Sequence, residues 1–197
     1  FNQVATATDE LGHGTSFGYD TAGNQTSFTD AASYVTSYTV NSRGQRTSIT
    51  TPDPDGAGTL AAATTSYAFD SYGRLTTLTN PDSTTRMFGY NTADMCTSET
   101  DELSHTTSFV YDALDRLTSR TDRVGAQTTY VYNAVNLLTQ ETDALGNVTD
   151  YEYNNRGRLT HKYQPDPDGA GPLPRPCSTY GYDSGGHLLS MGEPSYS

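Results

Sequence analysis

The stretch that decides the fold is YVYNAVNLLTQETDALGNVTDYEYNNRGRLT, residues 130–160, because it contains one phrase twice. Tyr-x-Tyr-Asn stands at 130–133 and returns at 151–154, which is 21 positions later. Each copy reaches Leu-Thr six residues after its second tyrosine. Self-similarity at a fixed period is typical of a repeat array, in which each repeat is one small structural unit.

The period runs through all 197 residues when the second aromatic position of each Tyr-x-Tyr is taken as an anchor. Five of the intervals between anchors are 21 residues and two are 29, and both long intervals contain PDPDGAG, at 52–58 and 165–171. The anchors are Tyr19, Val40, Phe69, Tyr90, Tyr111, Tyr132, Tyr153 and Tyr182. We predict a single array over 1–197, with about nine units and eight-residue insertions near 52–59 and 165–172.

Each unit carries two turn signals, in which Asp or Asn is followed by two free residues and then often by Gly. Asp favours the first position of a type I turn, and Gly at the fourth position supplies the bulge that closes a short hairpin. The predicted turn residues are Asp20, Gly23, Asp70, Gly73, Asp112, Asp143, Gly146 and Gly157. The runs between turns alternate with period two, which predicts strands.

The predicted fold class is therefore all-β, a long antiparallel β-hairpin meander. Since sheets twist, such a ribbon is expected to coil into a spiral, tube or shell wall. The turn geometry places each anchor opposite the leucine six positions on, as in Tyr111 with Leu117, and we expect these columns to form the core. The predicted core residues are Leu75, Tyr90, Tyr111, Leu117, Tyr130, Tyr132, Leu138, Tyr151, Tyr153 and Leu159.

Composition narrows the function. The net charge is −12 and the sequence pI is about 4.4, so a nucleic-acid partner is not expected. No apolar run approaches the roughly 20 residues of a transmembrane helix. Two cysteines do not make a disulfide framework. We expect Cys96, which stands where other repeats have Leu, to be a buried structural thiol, and Cys177 to lie in an insertion.

Two stretches, YDALDRLTSRTDRVGAQTTYVY at 111–132 and YAFDSYGRLTTLTNPDSTTRMFGY at 67–90, resemble the YD (tyrosine–aspartate) repeat of RHS proteins. The resemblance covers essentially the whole chain. It implies a spiralling sheet of hairpins, which winds into a hollow shell in bacterial toxin complexes, polymorphic RHS toxins and teneurins. RHS toxins also carry a self-cleaving D-P-x-G motif. Because DPDG at 53–56 and 166–169 occurs twice inside the array, protease function is not carried over.

Candidate chemistry is sparse. The insertions could offer carboxylates to calcium, namely Asp53, Asp55, Asp166 and Asp168, although Pro-Asp-Gly equally makes a rigid turn. No other cofactor is expected. The four histidines, of which only His13 and His105 share a repeat register, form no triad or metal cluster and are expected at the surface. The tyrosines could bind glycans, but their regular register favours a core.

The predicted function is a non-catalytic structural scaffold of a large secreted or cell-surface RHS protein, as a shell wall or an extracellular fibre. Two alternatives stay open: a toxin-encapsulating shell segment, and an adhesion module that binds glycans or a surface partner. The expected partners are other YD repeats of the same or neighbouring chains, with self-assembly through open strand edges. Since the array begins and ends in mid-repeat, the chain is expected to be part of a longer one.

Overall fold

The computed structural model describes residues 3–56, 60–169 and 173–196. These residues form seventeen short strands, and among them no helix has the length and apolar character that crossing a membrane requires. The strands are β1 Thr6–Thr8, β2 Gly14–Tyr19, β3 Gln25–Thr29, β4 Val35–Val40, β5 Arg46–Thr50, β6 Thr64–Phe69, β7 Leu75–Thr79, β8 Thr85–Tyr90, β9 Cys96–Thr100, β10 Thr106–Tyr111, β11 Leu117–Thr121, β12 Gln127–Tyr132, β13 Leu138–Thr142, β14 Val148–Tyr153, β15 Leu159–Tyr163, β16 Pro176–Tyr182 and β17 Leu188–Tyr196.

The chain divides into two units. The first is Phe1–Gly89 with Glu99–His105, and the second is Tyr90–Ser98 with Thr106–Ser197. In the first unit each strand from β1 to β7 pairs antiparallel with the strand that follows it. In the second unit the same holds from β10 to β17. The all-β hairpin meander that the sequence predicts is therefore confirmed.

The pairing register places the anchors opposite the predicted leucines. Tyr111 faces Leu117, Tyr132 faces Leu138 and Tyr153 faces Leu159, and the ladder shifts by one residue beside each anchor. The shift is a bulge that lets a five-residue turn close each hairpin while the strands keep their twist. Cross-strand aromatic–aliphatic pairs of this kind contribute about 0.2–1 kcal/mol each.

The ten predicted core residues all lie at half-buried positions of the described structure. Buried residues are rare in the described part, where they are Cys177 and Ser178 of β16, 6% and 7% exposed. A single layer of sheet explains this, because a side chain on it packs only against its neighbours on the same face. Whether the tyrosine and leucine columns close into a continuous core stays a prediction.

The predictions for the two cysteines were wrong: Cys177, not Cys96, is the buried thiol. Cys177 is 6% exposed and lies within β16, opposite Tyr163 of β15, rather than in the insertion. Cys96 opens β9 and is only half-buried. The prediction for Cys177 was wrong because β16 starts at Pro176, so that Cys177 is the second residue of a strand. Both thiols are free.

Candidate functional site: the turns and their cross-links

The turns are built on the side chain of their first residue. After β10, Asp112 Oδ1 accepts hydrogen bonds from the backbone N–H groups of Leu114 (2.9 Å) and Arg116 (3.1 Å). The Asp115 N–H donates to the Asp112 carbonyl, and the Asp112 N–H donates to the Arg116 carbonyl, both at 3.0 Å. One carboxylate thus organises a whole five-residue turn, which explains why Asp or Asn recurs at this position.

The predicted turn residues lie in turns of this kind. The predicted glycines occupy the fourth position, each with φ between +74° and +91°; they are Gly23, Gly73, Gly146 and Gly157. The predicted aspartates each accept the same pair of backbone N–H groups; they are Asp20, Asp70, Asp112 and Asp143.

Sequence reasoning missed that other residues take the same left-handed fourth position. They are Ser33, Ser83, Asp94, Ser104, Asp115 and Asn136, with φ between +63° and +68°. Asp and Asn tolerate this conformation better than most residues. The turn is therefore specified by its first residue and its length, and glycine at the fourth position only lowers its cost.

The fifth turn residue often returns a hydrogen bond to the second carboxylate oxygen of the first. Arg116 Nε lies 2.8 Å from Asp112 Oδ2, and Asn147 Nδ2 lies 2.8 Å from Asp143 Oδ2. Histidine takes the same place in three turns, as His13, His105 and His187. His187 therefore occupies the same turn position as His13 and His105, although the sequence placed it in a different repeat register. The reason is that the two turns of a unit are structurally equivalent.

These bonds lower the pKa of the turn carboxyl groups. The hydrogen bond from Arg116 holds the pKa of Asp112 below its ordinary value. For Asp183 the largest cause of the lowered pKa is the His187 side chain, and for Asp122 it is the backbone N–H of Ala126. The turns are thus most favourable when their first residues are ionised.

Arginine and glutamine side chains join one turn to the next on the same edge. Arg116 Nη1 donates to the Asn133 carbonyl (3.1 Å) and to Asn136 Oδ1 (3.0 Å). Gln45 Nε2 donates to the Gly73 carbonyl at 2.7 Å, and Arg156 Nη1 donates to the Ser184 carbonyl at 2.8 Å. Each of these bonds joins turns that belong to successive repeats, so the edge is cross-linked at the repeat period or at the period plus an insertion.

The anchor tyrosines form a second ladder. The hydroxyls of Tyr111, Tyr132 and Tyr153 donate to the backbone carbonyls fifteen residues earlier, which are those of Cys96 (2.9 Å), Leu117 (2.9 Å) and Leu138 (2.8 Å). Burial raises the pKa of Tyr111, Tyr132 and Tyr153, so these hydroxyls stay protonated as donors. The sequence has a Leu or Cys fifteen residues before each of these tyrosines. This spacing predicts the hydrogen bond only when the strand register is known.

The described residues of the two insertions make matching hydrogen bonds, whereas 57–59 and 170–172 lie outside the described residues. Asp53 Oδ1 accepts the N–H of Asp55 (3.1 Å), and Asp55 Oδ2 accepts the N–H of Leu60 (3.1 Å). The second insertion repeats these bonds, from Asp168 to Asp166 (3.2 Å) and from Leu173 to Asp168 (3.1 Å). The carboxylates thus brace backbone turns.

Asp53, Asp55, Asp166 and Asp168 were the candidate calcium ligands. Over residues 3–56, 60–169 and 173–196, no three His, Cys, Asp or Glu side chains come together in a way that could hold a metal ion. The described residues therefore give the calcium hypothesis no support, and the rigid-turn interpretation accounts for the carboxylates.

Arg175 distinguishes the second insertion from the first. Its guanidinium pairs with Asp150, and it donates from Nε to the Gln164 carbonyl (2.9 Å) and from Nη2 to the Val148 carbonyl (2.8 Å). The matching position of the first insertion, ten residues after its first proline, is Ala62. The segment after the second insertion is therefore fastened to β14 and β15 by a side chain that the first insertion lacks.

The ring of His161 lies beside a carboxylate and a hydroxyl, which are the partners that a catalytic relay would need. Its Nδ1 lies 3.1 Å from Glu152 Oε2 and 3.2 Å from Thr160 Oγ1. A hydroxyl–imidazole–carboxylate relay needs a different ring nitrogen for each partner. Both partners here compete for one nitrogen, so this group cannot pass a proton from the hydroxyl to the carboxylate.

Comparison with known proteins agrees with this architecture. Residues 90–128 and 132–170 match the family model described as RHS Repeat. The resemblance that the sequence indicates is therefore confirmed over these two segments. No curated protein matches the chain.

Solved structures show the same fold. The chain aligns with the crystal structure of TcdB2-TccC3 at a TM-score of 0.61 and 18% identity, over 90% of this chain and 10% of that one. The crystal structure of TcdB2-TccC3 without its hypervariable C-terminal region gives a TM-score of 0.57 and 17% identity, over 94% and 12%. The crystal structure of TcdB2-TccC3-TEV gives a TM-score of 0.54 and 13% identity, over 94% of this chain and 12% of that one. The chain thus spans about a tenth of the length of these structures.

Proposed function

We propose that the array is a non-catalytic wall segment of a hollow shell, built by a larger secreted RHS protein. The observation that carries the proposal is the tyrosine ladder. Tyr132 faces Leu138, whose carbonyl accepts the hydroxyl of Tyr153, which in turn faces Leu159. Over residues 96–159 each repeat therefore offers the next one the same kind of acceptor and partner, and this suits a surface that grows by addition.

The electrostatics of the turns support the same role. Their carboxylates are engaged by backbone N–H groups and by fifth-position side chains, so they serve structure rather than a substrate. The fold shared with TcdB2-TccC3 favours a shell over the fibre and adhesion alternatives. The partners we propose are strands of further repeats, paired at the sheet edges. Enclosure of a toxin is the finer form of this proposal.

Protease protection in the full-length protein tests this function. A shell wall encloses part of its own polypeptide, so that part should resist an added protease until the wall is denatured. Cleavage of the whole chain outside the array at the rate seen in denaturant would contradict the proposal. A soluble reporter protein added to the same reaction verifies that the protease is active.

A further inference from the structure

Three of the described turns have arginine at the fifth position, and in two of them this arginine pairs with an aspartate at the first position. Arg74 and Arg116, at the fifth position, are matched by Asp70 and Asp112 at the first. In the second pair, Asp112 Oδ2 accepts from Arg116 Nε at 2.8 Å and from Nη2 at 2.7 Å. Arg158 holds the same position in its own turn, but the first residue there is Asn154.

Asn154 cannot take over the role of the carboxylate. Its Oδ1 accepts the backbone N–H groups of Arg156 (2.9 Å) and Arg158 (3.1 Å), as Asp112 Oδ1 does in its turn. The atom left to face the guanidinium is therefore Nδ2, which is a donor like the guanidinium itself. Two donors cannot bond each other, so the charge of Arg158 is not compensated within its turn.

The guanidinium of Arg158 is nevertheless held in place. It lies over the ring of Tyr182, 4.9 Å from the centroid. It also packs against Gly186, where a Cβ atom would stand 2.6 Å from Nη1. Its Nε is cut off from solvent and has no hydrogen-bond partner within the described residues. No hydrogen bond of the two Nη atoms is found there either. A fixed, half-buried guanidinium with open Nη atoms is arranged as a receptor for an anion.

A second positive charge stands beside it. Arg156 is exposed and donates through Nη1 to the Ser184 carbonyl at 2.8 Å, which brings it onto the turn that contains Gly186. Two arginines thus converge on the same pair of turns in a chain whose net charge is −12. Local positive charge on an acidic molecule selects for an oppositely charged ligand.

We propose that Arg158, together with Arg156, binds a carboxylate presented by an acidic segment of a protein partner. A carboxylate is the ligand that this turn geometry accommodates elsewhere in the same chain, as Asp112 with Arg116 shows. Planar guanidinium and carboxylate groups also match in two-pronged geometry. The acidic side chain takes up the open Nη atoms, and the cation–π contact with Tyr182 keeps the guanidinium oriented toward it.

NMR observation of the arginine Nε–Hε groups in the full chain tests the proposal. The chain is titrated with hexaglutamate, acetate or inorganic phosphate at constant ionic strength. We expect hexaglutamate to shift the Arg158 signal and to bind more tightly than acetate. The Arg116 signal, whose guanidinium is already paired, should stay in place in the same sample.

The matched variant is Asn154→Asp, which supplies the missing internal carboxylate while keeping Arg158 and the turn. It should weaken hexaglutamate binding at least about tenfold, the equivalent of about 1.4 kcal/mol. An unshifted Arg158 signal, an Arg116 signal that moves equally, or undiminished binding in the variant would overturn the proposal. Binding of acetate or phosphate without binding of hexaglutamate would overturn the assignment to an acidic protein segment.

Discussion

The hydroxyl of Tyr132 donates a 2.9 Å hydrogen bond to the backbone carbonyl of Leu117, and this contact ties one repeat to the one before it. Tyr132 ends β12 and Leu117 begins β11, so the bond lies beyond the last ladder pair of these strands. The bond joins the ends of β11 and β12 at the point where their backbone pairing stops. Tyr153 makes the same bond to Leu138 one period later.

Tyr132→Phe should lower the free energy of unfolding by about 1 kcal/mol, because it removes a half-buried hydrogen bond and leaves the Leu117 carbonyl without its donor. Urea unfolding followed by circular dichroism measures the loss. Tyr130→Phe is the control, since no hydrogen bond of the Tyr130 hydroxyl is found among the described residues. Equal losses in the two variants would mean that the ladder does not stabilise the array.

Asn154→Asp should raise the free energy of unfolding by about 0.2–1 kcal/mol, because it gives Arg158 the partner that Arg74 and Arg116 have. A double-mutant cycle with Arg158→Gln isolates the pair. In the Arg158→Gln background the gain should disappear. If the aspartate stabilises that background to the same extent, the effect comes from the turn backbone and not from the ion pair.

Arg175→Ala should destabilise the second unit by about 1–3 kcal/mol, since Asp150 loses its ion-pair partner and three backbone carbonyls lose a donor. Amide hydrogen exchange should also quicken at Gln164, whose N–H donates to the Pro176 carbonyl. Arg175→Lys retains the charge without the fork and should recover only part of the loss. Full recovery in the lysine variant would show that charge alone fastens the segment.

Stability should fall in acid. The turn carboxyl groups have folded pKa values below their ordinary value, as Asp112, Asp122 and Asp143 illustrate. A depressed folded pKa adds stability above the unfolded value of about 3.9, and the gain is lost as pH falls through the folded pKa. The melting temperature should therefore hold steady from neutral pH to about pH 5 and drop below about pH 4.

A paired variant tests the origin of this acid sensitivity. Asp122→Asn with Asp143→Asn keeps the acceptors for the backbone N–H groups but removes two titrating carboxylates. The double variant should lose less stability between pH 5 and pH 2 than the parent chain does. A variant that follows the parent curve would place the acid sensitivity elsewhere.

Much of the fold could be predicted because the 21-residue repeat determines it. A 21-residue repeat with turn signals fixes the strand lengths, and the turn length then fixes Tyr111 opposite Leu117. The left-handed conformation of Asp115 and Asn136 was not predicted, because the closed hairpin imposes it and neither residue type indicates it by itself. The turn position of His187 was missed because the equivalence of the two half-repeats appears only in the backbone geometry.

The contacts between repeats were the least predictable. Nothing around Arg175 in the sequence points to Asp150, 25 residues earlier, because their meeting depends on how the insertion returns to the sheet. The burial of Cys177 was missed because the residue was assigned to the insertion, although a six-residue strand that ends at the anchor Tyr182 already includes it. The missing carboxylate partner of Arg158 could be recognised only from the geometry of the turns in which Arg74 and Arg116 pair with aspartates.

Cryo-electron microscopy of the full-length protein tests the proposal of a shell wall most directly. We expect a closed, hollow particle in which residues 130–160 lie in the wall as part of a continuous run of hairpin repeats, hydrogen-bonded to further strands on both sides. A filament without a lumen, or a density in which this stretch stands outside any enclosing wall, would contradict it.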